Sequence, residues 1–355
     1  MSINKKYISI LSIAIAMLLS ACSSDNPEVQ TTSAEDKSVG DKIQIMAYAP
    51  PFANANPQDA APTGFTAYTL DKVTEMGIYM IKNDDTTPYA EKRLRYASKW
   101  YAFFEVEAQK NYTVYGYIPK ADGMSSGLSV TSDGATQTIN GATLTISGIK
   151  PVTTDDICII TGVKETNTGL KEGQFGWYMA NANDNFYMYL LLDHIYASVN
   201  FSMIIDAEYA QLRTIKLKTM KLRTDKGSVN ATITLTHNDT GTSPISSATY
   251  TSEGTSYEVE IFNDAEGIAL DTETPLVINT CFAPDPSNNL TMVTTYDVYD
   301  RKGNLIRKNC TATNKVPLEA ARAQQVQLNL TVNPTYLNVL SDPDLDNPTV
   351  KGKKE

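Results

Sequence analysis

A chain of 355 residues with a formal charge of −10 and a pI near 4.9 is too long for one ordinary core and too acidic to present a nucleic-acid-binding face. Its hydrophobic content of 42% supports packed cores, and 20 Tyr with 9 Phe suit strands.

Lys5 and Lys6 precede an apolar run from Ile8 to Leu19, too short for a stop-transfer helix, and Leu19-Ser20-Ala21-Cys22 follows. Small residues before a cysteine at this point resemble the bacterial lipobox. That resemblance implies a signal peptide over 1–21, cleavage before Cys22, and a lipid on the Cys22 sulfur with an acyl chain on the new amine. Two or more chains hold a protein stably at a membrane surface. Residues 22–41 are small, polar and without apolar period, which reads as a flexible tether.

Lys42 to Ala49 opens the folded part as a short strand, before a Pro/Ala/Asn-rich loop from Pro50 to Gly64. Thr74 to Lys82 is a second strand. Trp100, Ala102, Phe104 and Val106 alternate, as do Tyr112, Val114, Gly116 and Ile118, and Gln109-Lys110-Asn111 between them predicts a hairpin turn. Leu144 and Ile146 lie on another strand, and Ile157, Ile159, Thr161 and Val163 on the last of this half. Gly169 to Asn185 is a Gly/Asn-rich crossing segment.

Phe186 to Asp206 is the centre of the chain. Ile195, Ala197, Val199, Phe201, Met203 and Ile205 fall on one face, and Tyr196, Ser198, Asn200, Ser202 and Asp206 on the other. A period of two marks a half-buried strand. Asp193, His194 and Asn200 exclude a membrane helix, since each is costly in hydrocarbon. A bend is expected at Asp193-His194.

In Thr214 to Arg223, Ile215 and Leu217 share a phase while Met220 and Leu222 take the opposite one, which predicts a β-bulge near Thr219 with solvated lysines around it. Strands follow at Val229 to Leu235, Tyr257 to Ile261, Leu276 to Thr280, Met292 to Val298 and Val326 to Val332. Leu318 to Ala323 is the one helix-like stretch. Short strands at 8–12-residue spacing with Gly/Asn/Pro turns predict an all-β chain of two β-sandwich domains in tandem. The expected divisions are 42–185, 186–340 and a C-terminal tail over 341–355.

Catalytic signatures are missing. His194 and His237 lack a metal spacing, and no nucleophile elbow, phosphate loop or Cys-x-x-Cys occurs. The chain is therefore expected not to be an enzyme and to need no cofactor. His194 is expected to be a hydrogen-bonded structural residue without metal. Cys281 and Cys310 are a candidate disulfide, two buried thiols being the other reading, and Cys158 is expected in a core.

Several stretches, taken in order, resemble the fimbrillin-like proteins of Bacteroidales, the type V pilus subunits and their relatives. They are Asp71 to Met80, Trp100 with Tyr112 to Pro119, Asp155 to Ile159, Leu192 to Phe201 with His194, and Leu328 to Leu340. The resemblance implies transthyretin-like sandwiches and a structural role in fimbriae and cell adhesion. It also implies an outer-membrane, surface-exposed location through the lipid on Cys22, and a host or bacterial surface receptor as a further partner. Other fimbrial subunits would join by β-strand donation, in which a cut at a basic residue beyond the first strand frees that strand and a neighbour's strand fills its groove. From Ile43 through Asp71 this chain has no Arg or Lys. That departure favours an anchor or accessory subunit over a repeating stalk subunit. The alternative is a surface glycan-binding lipoprotein of a polysaccharide-uptake system, with Trp177-Tyr178 as candidate sugar-stacking aromatics.

Overall fold

The structure, a computed structural model, describes residues 43–54, 66–68, 75–83, 92–96, 100–102, 109–133, 138–179, 186–316 and 320–332. The signal peptide, Cys22 with its tether, the segment Leu337 to Leu340 and the tail lie outside these residues. The described chain is nearly all β. Its first strands are β1 (Ile43–Ala49), β2 (Ala53–Asn54), β3 (Thr66–Tyr68), β4 (Glu75–Lys82), β5 (Lys92–Tyr96), β6 (Trp100–Ala102) and β7 (Lys110–Ile118). Next come β8 (Ser125–Ser132), β9 (Ile139–Ile149), β10 (Val152–Thr153), β11 (Cys158–Lys164) and β12 (Gly176–Met179). The central stretch is β13 (Phe186–His194) and β14 (Ala197–Ile205), followed by one helical turn, α1 (Ala207–Ala210). The rest comprises β15 (Thr214–Thr224), β16 (Ser228–Thr236), β17 (Ile245–Glu253), β18 (Tyr257–Ala269), β19 (Leu276–Phe282), β20 (Leu290–Tyr299), β21 (Leu305–Val316) and β22 (Gln324–Val332).

The nine-stranded sheet runs β11-β13-β1-β6-β5-β4-β7-β12, with β3 on β1, and an additional β11–β7 pairing closes it into a ring. One face of the ring strands forms a single cluster, the inside of the ring. It includes Ile45 and Ala47 of β1, Met76 and Ile78 of β4, Val114 and Ile118 of β7, Ile160 of β11, and Leu190 and Leu192 of β13. Gly116 has its place here, because a Cβ would come within 2.4 Å of the Gly77 carbonyl on the paired strand. The opposite phase of the same strands is also buried. Tyr79, Tyr115, Tyr117 and Ile159 pack against Leu144, Ile146, Ala231 and Ile233 of the four-stranded sheet β17-β16-β9-β8. That is why Tyr112 to Ile118 carries large apolar or aromatic residues on both faces, as a strand covered on both sides must.

A third core lies between the sheets β10-β19-β14-β22-β2 and β18-β15-β20-β21. Val199, Phe201, Met203 and Ile205 of β14 meet Ile215, Leu217, Met220 and Leu222 of β15 there. The bulge expected near Thr219 is present: pairing slips between Leu217 and Thr219 against both β18 and β20. The slip lets both apolar phases of β15 reach one core.

Several expectations are corrected. The strands around Trp100 and Tyr112 do not form a hairpin in the described residues, since β6 pairs with β5 and β1, and β7 with β4, β11 and β12. Their matching alternation reflects burial in one ring, not mutual pairing. The described part of Leu318 to Ala323 is a turn with Ala323 at φ 61°, and the helical turn falls instead at α1, where Asp206 Oδ1 accepts from the amides of Glu208 and Tyr209. Tyr196, expected outward, is 1% exposed because it sits in the elbow between β13 and β14, where strand alternation is suspended.

Sheet boundaries do not coincide with residue 185. β13 pairs in parallel with β1, β16 pairs with β9, β10 with β19, and β2 with β22. Val199 is fully buried, whereas Asn200 is half-buried and donates to Asn279 Oδ1 at 3.0 Å. Val199→Asp is therefore expected to cost at least about 4 kcal/mol through an unpaired buried charge, and Asn200→Asp less than about 1 kcal/mol. Denaturant titration checks both, and equal losses would show that the phase of β14 is misassigned.

Candidate functional site

The strand whose fate matters most to a strand-donating protein is β1. Its sequence, IQIMAYA, places Ile45, Ala47 and Ala49 inward and leaves Met46 exposed and Tyr48 half-buried. One edge pairs in parallel with β13 from Ile43↔Phe186 to Tyr48↔Leu191. The other pairs with β3 at Ala47 to Ala49 and with β6 at Ile43↔Trp100. β1 is thus an interior strand, hydrogen-bonded on both edges. Pro50-Pro51 ends it, because proline supplies no amide to a ladder.

Where β1 ends, the chain meets the elbow of the central stretch. The His194 ring donates from Nε2 to the Pro50 carbonyl at 2.6 Å and contacts Asp156 Oδ2 from Nδ1 at 2.5 Å. Phe52 stacks on that ring with centroids 3.8 Å apart. The Cys158 thiol donates to the same Asp156 oxygen at 3.1 Å and lies 3.5 Å from Nδ1. A carbonyl cannot donate, so Nε2 carries a proton, and the carboxylate draws a second proton to Nδ1. Burial alone would lower the His194 pKa. The Asp156 hydrogen bond and charge outweigh it, helped by the Pro50 carbonyl and Asp193, and the net shift is upward. His194 and Asp156 therefore share a proton between Nδ1 and Oδ2. Burial and the Asp156 carboxylate push the Cys158 thiol well above its ordinary pKa.

Further bonds fix the elbow itself. Asp193 Oδ1 accepts from the His194 amide, and its other oxygen receives Arg322 Nη1 at 2.7 Å. The same guanidinium reaches the His194 carbonyl at 3.1 Å. The Tyr250 hydroxyl donates to the Ile195 carbonyl at 2.7 Å, and the Tyr196 hydroxyl to Lys150 O at 2.9 Å. Beyond Pro51 the chain crosses to the next sheet, where the Ala53 amide donates to Ala323 O and β2 pairs with Gln324 and Gln325 of β22.

The other sequence-picked residues do not join this site. Cys281 is buried and packed with Tyr196 and Ala283, while Cys310 packs against the β14–β15 core. The two thiols pack in different cores. Cys158 is buried as expected but also belongs to the polar cluster. Its part in that cluster was unreadable from sequence, since Asp156 and His194 are 38 positions apart and meet only through β11–β13 pairing. His237 lies elsewhere, hydrogen-bonded through Nε2 to the Tyr115 hydroxyl and lowered in pKa by burial. Trp177 is buried and donates to the Tyr187 carbonyl at 3.0 Å, so it offers no face to a sugar, whereas Tyr178 is exposed.

Outside the ring, a cleft of about 450 Å³ is lined by Tyr48, Asn167, Leu170, Lys171, Glu172 and Leu191. Burial, then the Asp193 charge, raises the Glu172 carboxyl to about 6.

No family model matches the chain, and no curated protein matches it. Among solved structures it is similar to a fimbrial protein of Bacteroides vulgatus, at 15% identity and TM-score 0.37 over 81% of this chain and 95% of that one. It is also similar to the fimbrial anchor protein Mfa2 of Porphyromonas gingivalis, at 12% identity and TM-score 0.23 over 81% of this chain and 90% of that one. A fimbrial protein of Bacteroides ovatus matches at 11% identity and TM-score 0.31, over 82% of this chain and 49% of that one. The overlaps are too loose to carry a function to this chain.

His194→Leu removes the cation from a carboxylate that is only 17% exposed, and is expected to cost about 3–5 kcal/mol and to speed proteolysis near Pro50. Stability and mapped cleavage sites check this; an unchanged cleavage pattern would mean that His194 does not hold the β1 exit. For Glu172, a raised carboxyl pKa means that the folded state binds the proton more tightly than the unfolded one. Stability from this group therefore rises as pH falls through about 6 to the ordinary 4.5. Glu172→Gln is expected to be more stable than the parent near pH 7.5 and to converge with it near pH 4.5, as melting temperatures across pH would show.

Proposed function

We propose that the chain is a lipid-anchored, fimbrillin-like surface protein of the outer membrane, a non-catalytic structural subunit of fimbriae in cell adhesion. Within that role it is an anchor or accessory subunit that keeps its first strand, not a repeating stalk subunit. The observation that carries the reading is the enclosure of β1, paired on both edges with its small and β-branched residues in the ring core. It is joined by the lack of any Arg or Lys from Ile43 through Asp71, which leaves no basic cleavage point between β1 and the loop that follows.

The physical consequence is asymmetric. In strand donation, backbone hydrogen bonds supply affinity and alternate side chains supply fit, so an acceptor needs an empty slot with two open edges. Here β1 occupies that slot. Such a subunit ends a fibre at one side and is held at the membrane by the lipid on Cys22. Its remaining partners are other fimbrial subunits and a surface receptor.

Cys22→Ala is expected to move the protein from the membrane pellet to the soluble fraction, as cell fractionation would show. The purified parent is expected to stay monomeric at high concentration. Equal pelleting of both forms would count against the lipid anchor, and regular fibres of the parent alone in electron micrographs would count against the terminal role.

A further inference from the structure

We propose that Asp156, Cys158 and His194 form a site for one thiophilic divalent cation of the zinc class, which locks the end of β1 to the elbow between β13 and β14. The inference stands on geometry and is independent of the fimbrial reading. Three donors of different kinds converge: Asp156 Oδ2, Cys158 Sγ and His194 Nδ1 all lie within 4.8 Å of one another. A tetrahedral zinc with bonds of about 2.0–2.3 Å separates sulfur from nitrogen by about 3.5 Å and nitrogen from oxygen by about 3.3 Å. The Sγ–Nδ1 separation is already 3.5 Å, whereas the Sγ–Oδ2 separation of 3.1 Å must open by about 0.4 Å to reach the ~3.5 Å of a tetrahedral pair. The Nδ1–Oδ2 edge, at 2.5 Å, must open by about 0.8 Å, the difference between sharing a proton and sharing a cation.

Three surrounding features fit a metal better than a plain packing cluster. The His194 Nε2–H is directed at the Pro50 carbonyl, which fixes the ring and aims Nδ1 at the cluster, as backbone carbonyls do behind ligating histidines. Asp156 Oδ1 is buried without a hydrogen-bond partner and is the available fourth donor, with water as the other choice. Cys158 takes the inward phase it shares with the aliphatic Ile160, yet its side chain there faces the Asp156 carboxylate at 3.1 Å. The donor set selects the metal: thiolate and imidazole exclude calcium and magnesium, and one sulfur with one nitrogen and a carboxylate suits zinc. Binding displaces two protons, one from the thiol and one from Nδ1, while Nε2 keeps its own. Asp156 has a partly exposed side chain, at 17%, which gives an ion a way in.

The test uses the untagged chain, so that no added histidines compete. After chelator treatment and reconstitution with zinc alone, metal analysis should find about one zinc per chain, and the melting temperature should rise by several degrees over the chelated protein. Cobalt(II) in place of zinc should give thiolate-to-metal charge-transfer absorption. Cys158→Val should keep a cooperative melt but lose the bound zinc, the temperature shift and the cobalt absorption, while His237→Gln should keep all three. Less than about one-tenth zinc per chain with no cobalt absorption in the parent would overturn the proposal. So would equal binding by Cys158→Val. If Cys158→Val fails to fold, the cobalt spectrum of the parent decides by itself.

Discussion

The elbow from Asp193 to Tyr196 is the constraint on which the rest depends. It is four residues long, entirely buried, and stands where the ring sheet hands the chain to the sheet containing β14. Buried backbone and charged groups must find partners, and here they come from every side. Asp156 and Ile157 arrive from the approach to β11, Tyr250 from β17, Arg322 and Ala323 from before β22, and Pro50 from the end of β1. Segments distant in sequence are registered to one another by this short stretch. Breaking it would loosen several sheets at once.

The enclosure of β1 follows from that registration. Its parallel partner β13 is the strand that runs into the elbow, so the end of β1 reaches His194 as a matter of register. Ladder bonds on both edges, apolar residues inward and the Pro50 carbonyl held by the His194 ring act in series along a single strand. Removing β1 would open the ring beside β13 and expose the Leu190 and Met188 face to water. A chain that retains it presents a finished surface at that place.

The all-β class, most strand positions, the bulge at Thr219 and the bend near His194 were legible because each is a local pattern: alternation, a phase flip, a pair of polar residues in an apolar run. β8 was not, since SSGLSVTS offers only Leu128 and Val130 and is an edge strand with half its surface wet. Which strands pair is a non-local property. Thus the hairpin expected between Trp100 and Tyr112 gave way to ring closure, and β16, besides its sequence neighbour β17, took the distant β9 on its other edge. The same limit hid the site. His194 was readable as a hydrogen-bonded residue, yet its partners Asp156, Cys158 and Pro50 are joined to it by pairing of distant strands. For Cys281 and Cys310, spacing could not tell that the two thiols pack in different cores.

The account turns on whether β1 remains part of the mature molecule, and the intact mass and N-terminal sequence of protein isolated from cells test this directly. A chain beginning at a lipid-modified Cys22 and continuing through Ile43 to Ala49 is the result predicted. A chain that begins after Ala49 would mean that the slot beside β13 is emptied in the cell, and would contradict the account of a subunit closed at that end.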